Sequence, residues 1–297
     1  MAGLVPAISL RDAEPCSLKR DRRAKPGDDS GIFMPPDLYF ALTLIVKMAI
    51  TAGFVLAATV TAERAGPLVG GLVATLPLGA GPVYIFLALD HGAEFIAQSA
   101  INSLAINMVN VIFALNYALL AQTHRLAVAL SVALLVWFAL SWGVHEIHWA
   151  VGWAFLANVV VLAVCIALAR PLRHVAIPPV RTYWYDLALR ALMVAMLVGV
   201  TVTLSFRIGP DGSGILAVFP IILISVIFIL HRRVGGKPTA AVMANAVVGL
   251  VGFAFACVAL HFTAEPLGAA IGLTLALATS VAWGMSVFLA RRHGFSV

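Results

Sequence analysis

The chain has 297 residues, 62% of them hydrophobic and 11% charged, with a formal net charge of +6. A soluble domain carries about 25% charged residues, so the composition excludes a water-soluble globule, and the long apolar runs match bilayer crossings of about 20 residues each. The basic residues lie in short loops and the N-terminal tail, where membrane topology accounts for them, and they point to no nucleic-acid partner.

Residues 1–33 are polar, Pro/Gly-punctuated and unlike the rest. They hold Arg11, Lys19, Arg20, Arg22, Arg23 and Lys25 but no apolar core of a signal peptide. They resemble translated intergenic repeats of some bacterial genomes. The expectation is a disordered tail or a mis-called start, with Met34 as the natural first residue; a genuine cytoplasmic tail is the alternative. Beyond the tail come nine spans, at about 37–62, 67–89, 95–121, 126–143, 147–169, 184–206, 212–230, 238–262 and 266–290. Loops after spans 1, 3, 5 and 7, with the C-terminus, hold ten Lys and Arg, against Arg207 alone on the other side once residues 1–33 are set aside. The excess predicts a cytoplasmic C-terminus and a periplasmic residue 37.

One stretch occurs twice. With an offset of 143, residues 64–102 fall on 207–245 without a gap, and eleven of the 39 columns are identical. Apolar composition alone gives about four. Arg64/Arg207, Gly66/Gly209, Pro67/Pro210, Pro77/Pro220 and Asn102/Asn245 are among the matches, and Lys47 falls on Arg190. Spans 1–4 thus correspond to spans 6–9. An offset of five spans inverts one copy relative to the other. The predicted fold class is an all-α polytopic membrane protein with two inverted four-helix repeats, at 34–143 and 184–297, joined by the unpaired span 5 and a linker at 144–183. Inverted repeats of this kind are a transporter architecture.

Within span 2, Pro77, Gly79, Gly81 and Pro82 fall together near mid-membrane. Each proline removes one helical hydrogen bond, and freed backbone at that depth belongs against protein or a water-lined cavity. The segment reads either as a broken helix at a binding site or as a kink with glycines for close packing. Pro220 repeats Pro77 in an Ile-rich setting, so a milder break is expected there. Lys47 lies ~4.5 Å from the centre of span 1, too deep to snorkel comfortably; Arg190 lies nearer the end of span 6. Together they suggest a counter-charge for an anion, or pairing with carbonyls and Asn side chains. Ser99, Ser103, Asn107 and Asn110 share one face of span 3, lining a helix seam or a cavity; Asn102 and its repeat Asn245 are the uncharged site candidates. No catalytic set, metal cluster, nucleotide-binding loop or cofactor motif is present, and the three cysteines are far apart.

The run Glu63-Arg64-x-Gly-Pro-Leu-x-Gly-Gly-Leu-x-Ala-Thr-Leu-Pro77-Leu78, with its continuation to residue 140, resembles a short four-helix family of bacterial inner-membrane proteins. The resemblance implies a four-span building block, present here in duplicate, and transfers no ligand residues. The resulting expectation is a non-enzymatic transporter or exporter of a small polar or anionic metabolite by alternating access in a bacterial inner membrane. Its site residues are Lys47, Pro77, Gly79, Gly81, Asn102, Arg190, Pro220 and Asn245. The alternative is a non-transporting structural or assembly protein of the membrane.

Overall fold

The computed structural model describes residues 35–64, 79–173, 175 and 183–293. The tail at 1–33, most of the linker and Pro77 lie outside the described residues. Contacts divide the chain into Met1–Tyr39, of which Pro35–Tyr39 is described, and Phe40–Val297.

The described residues form helices joined by short turns, without a strand. The helices are α1 (Pro36–Arg64), α2 (Ala80–Asp90), α3 (Ala93–Leu120), α4 (Leu126–His145), α5 (Val151–Ala169), α6 (Trp184–Ala217), α7 (Ile221–Val234), α8 (Gly236–Leu267) and α9 (Ala269–Arg292). A 3-10 turn, Arg170–Leu172, follows α5. Among the described residues, seven apolar lengths are long enough to cross a bilayer, consistent with an α-helical membrane protein. Two differences separate these seven from the nine expected spans. The first half of span 2 falls outside the described residues, leaving the short α2. Spans 6 and 7 run together as one apolar length, Trp184–Val234.

That length is broken twice, each time by proline chemistry. Gly209 takes φ 65° and ψ −169° ahead of Pro210. Glycine alone enters this region without a steric penalty, and Pro210 then opens the next helical stretch. The second break is at Val218–Pro220. Pro220 has no N–H to continue the helix, Phe219 N–H reverts to the Leu216 carbonyl at 3.1 Å, and α7 starts afresh at Ile221. The break is therefore full, not the mild kink expected of the Ile-rich sequence.

The core lies around α3, which packs most extensively on α8 and also on α4, α5 and α6. Phe113, Tyr117, Leu104 and Ile106 are fully buried there. α1, α4, α5 and α9 instead expose much of their surface: Leu135 and Trp153 are 68% and 70% accessible. Exposed apolar rings and branched chains are costly against water but not against lipid, which is itself apolar. α4 packs on α7 and α9 packs on α2.

Candidate functional site

The residue before α2 lies against the start of α7. A methyl group placed on Gly79 would lie 3.4 Å from Ile222 Cγ1 and 3.9 Å from Ile221 Cγ2. Gly79 precedes the first turn of α2 and Pro220 caps α7. Gly81 lies one residue into α2, half-buried. Gly79, Gly81 and Pro220 are thus drawn to one junction.

The polar face of α3 supplies what the break in α6 lacks. Ser103 donates its hydroxyl to the Gly214 carbonyl at 2.7 Å, and Asn110 donates to the Val218 carbonyl at 2.8 Å. Ser103 has one proton to give, so its 2.6 Å contact with Tyr84 is a bond donated by the tyrosine. Asn110 in turn accepts from Trp137 Nε1 at 2.7 Å. Asn102 donates to Asp211 at 2.8 Å, at the start of the stretch after Gly209. Further along α3, Asn107 donates to Asn158 at 2.9 Å and to the Leu250 carbonyl at 3.1 Å. Unpaired carbonyls in a bilayer cost several kcal/mol, so these side chains make the break tolerable. The stripe on α3 is thus a helix seam along these residues. Gly214 lets the seam close: a Cβ there would stand 2.3 Å from the Ser99 carbonyl.

Lys47 is ion-paired, not open. Its ammonium lies 2.6 Å from both oxygens of Asp90, the last residue of α2, and 5.8 Å from the centre of the Phe86 ring. The sequence suggests an anionic ligand, or else carbonyls and Asn side chains, as its partner; the partner in the structure is a carboxylate of the chain itself. The pair stands at the far end of α2 from Gly79, ~16 Å away along that helix, so Lys47 does not join the junction. A second ion pair stands at the end of α7. Arg233 meets Asp186 at 2.6 Å, reaches the Tyr185 hydroxyl at 3.2 Å and stacks over the Tyr183 ring at 4.7 Å. Arg190 lies one turn after Asp186 on α6, half-buried. Asn245 donates to the Ala241 carbonyl of its own helix at 2.8 Å.

Beside the Lys47 pair, His91 meets Ser205 at 2.8 Å and stacks on Phe95 at 3.9 Å between ring centres. Its pKa is lowered, chiefly by desolvation, with Asp90 opposing and Lys47 adding to the shift. At the end of α7, His231 pairs with the Tyr117 hydroxyl at 2.6 Å.

The partners Asp90, Asp186, Asp211 and Arg233 do not stand out in the sequence, because each lies near a helix end, where charge is unremarkable. One signal was there to read. Asp90 and Arg233 share a column of the 143-residue register, a column hidden because the residues differ in sign. Cys165 and Cys257 are free and buried. Among the described residues no cluster of three or more His, Cys, Asp or Glu stands ready for a metal. No protein-family model, curated protein or solved structure matches the chain.

Proposed function

We propose that the chain is a secondary transporter or exporter of a small polar or anionic metabolite. It would work by alternating access in a bacterial inner membrane, with the C-terminus cytoplasmic and residue 37 periplasmic. Its architecture is two inverted four-helix repeats around the unpaired α5. One observation carries the reading: residues 143 apart touch each other. Asn107 bonds the Leu250 carbonyl, and the side chain nearest to Gly79 is Ile222. A residue lying on a two-fold axis meets its own mate, so both contacts are what an axis between the repeats requires. Two further pairings support it. α4 packs on α7 while α9 packs on α2, the same contact with the repeats exchanged. The ion pairs Lys47–Asp90 and Asp186–Arg233 share one column of the register, Asp90 with Arg233, and each joins the first two helices of its repeat.

In this reading the junction of Gly79, Gly81 and Pro220 is the substrate site, the place where freed backbone dipoles face a ligand, and Asn102 and Asn245 are assigned to it by their shared register alone. Pro77 belongs to it by sequence. Lys47 is not its ligand at rest, whereas Arg190 adjoins Ala191, which packs against Ile221 and Ile222 at the junction. Lys47 holds α2 to α1 through Asp90, and an anionic substrate competes for that ammonium when the latch opens. Both latches are closed in this state, so alternating access requires one of them to open in another.

One observation favours the second reading, a structural membrane protein. The amides of Asn107 and Asn110 and the hydroxyl of Ser103 are committed to helix–helix bonds. The test is flux. Everted membrane vesicles with and without the chain, incubated in a metabolite extract, should differ in the uptake of at least one small polar compound. Equal uptake across the extract favours the structural reading.

A further inference from the structure

Away from the junction, a cleft of about 490 Å³ opens between α5, α8 and α9. Its walls are apolar: Leu162 and Ile166 from α5, Val251 and Phe255 from α8, and Trp283 from α9. Trp283 is fixed as a wall by its Nε1 bond to the Val248 carbonyl at 3.0 Å and by its close approach to Gly252. The deepest polar group is Asn158, and its amide is committed within the protein. It donates to the Leu104 and Ala154 carbonyls and accepts from Asn107. The walls therefore ask for an apolar body.

The mouth is cationic. Arg170 and Arg173 line it. They flank the 3-10 turn that Pro171 imposes after α5, and Arg173 N–H closes that turn on the Arg170 carbonyl at 3.3 Å. Residues three apart in such a turn eclipse one another, so both guanidinium stems leave on one side. From Asn158 to Arg170 the cleft follows α5 for ~18 Å, the direction in which a lipid tail runs from its headgroup. Two guanidinium groups at the membrane surface above a dry slot match a phosphodiester above an acyl chain in charge, polarity and depth.

We propose that this cleft is a binding site for one anionic phospholipid, its tail along α5 toward Asn158 and its phosphate between Arg170 and Arg173. A neutral lipid matches the walls but brings no net negative charge to the two arginines of the mouth. A soluble anion satisfies the mouth but leaves the walls unfilled. The site is independent of the transport reading, because none of its contacts involves the junction.

The full chain, purified in a neutral detergent, is incubated with equal amounts of phosphatidylglycerol and phosphatidylcholine, and the lipid retained is counted by native mass spectrometry. Retention of phosphatidylglycerol should exceed that of phosphatidylcholine by about 30-fold, the preference expected for two arginines at ~1 kcal/mol each. Arg170→Gln with Arg173→Gln should bring the ratio near one, while the double Lys variant keeps most of it. Ala163→Phe fills the slot from an exposed wall position and should lower retention of both lipids without altering the melting temperature. Millimolar inorganic phosphate should displace neither. Equal retention of both lipids by the unaltered chain, a preference that survives the double Gln variant, or displacement by phosphate would each overturn the proposal.

Discussion

Asn107 donates its side-chain amide to the carbonyl of Leu250 at 3.1 Å, and the two residues are separated in the chain by 143 positions. The same amide also reaches Asn158 at 2.9 Å, so one fully buried side chain ties α3 to α5 and α8. Hydrophobic burial does little to hold helices together in a bilayer, where lipid is as apolar as leucine, and interhelical bonds contribute ~0.6 kcal/mol on average and up to ~1.7. Asn107→Leu removes two such bonds and leaves a carbonyl unpaired. It should lower stability by about 2 kcal/mol, read as a lower melting temperature in detergent. Asn116→Leu, outside this set of bonds, should leave it unchanged. Equal melting temperatures for Asn107→Leu and the unaltered chain would remove the crossing point as a stabilising contact.

Lys47→Met should destabilise the protein by ~2–3 kcal/mol, somewhat below the ~3–5 of a fully buried pair, because it strands the Asp90 carboxylate. Asp90 also sits at the C-terminus of α2, where the helix dipole opposes a negative charge. Asp90→Asn in the Lys47→Met background should therefore recover part of the loss, and thermal unfolding of the two variants checks this. A double variant less stable than Lys47→Met alone would contradict the latch.

Gly214→Ala places a methyl group 2.3 Å from the Ser99 carbonyl and 3.0 Å from Asn102 Cβ. Backbone cannot yield as a side-chain tip does, so a loss of about 3 kcal/mol is expected, at the upper end for overpacking. Gly249→Ala, with nothing within 4 Å of the added methyl, should raise stability by ~0.5–1 kcal/mol through helix propensity. Denaturant unfolding of the two variants separates packing from propensity.

Stability should fall on mild acidification through His91. Its folded pKa lies below the ordinary 6.5, so the unfolded chain binds the proton more readily. The contribution is complete above about pH 6.5 and is lost as pH falls from there through the lower folded value. Melting temperatures between pH 7.5 and 5 should drop less for His91→Gln than for the unaltered chain. Parallel curves would assign the drop to other groups.

The membrane class was legible from composition, and the helix ends mostly from apolar runs; α3 at Ala93–Leu120 against an expected 95–121 is typical. The 143-residue self-match stands out in the sequence because Gly, Pro and Asn are the residues an apolar bias does not supply. The depth of the break at Pro220 was not. Its Ile-rich setting promotes a helix, and only the bonds from Ser103 and Asn110 on α3 stabilise the open carbonyls. The ion pairs were hidden for a related reason. Asp90 and Asp186 lie near helix ends, where a local reading expects headgroup or water contact, and only tertiary packing brings Lys47 and Arg233 to them.

The central claim is that two repeats related by a two-fold axis move against each other at the Gly79–Ile222 junction. The most direct measurement is flux through a chain whose junction is locked. Gly79→Cys with Ile222→Cys places two thiols within disulfide reach, since the nearest Ile222 carbon stands 3.4 Å from a Cβ on residue 79. The account predicts that everted vesicles carrying this variant take up the transported compound when reduced, lose that uptake on oxidation, and regain it when reduced again. Uptake that is unchanged in the oxidised state, with the cross-link verified by mass spectrometry, would contradict it.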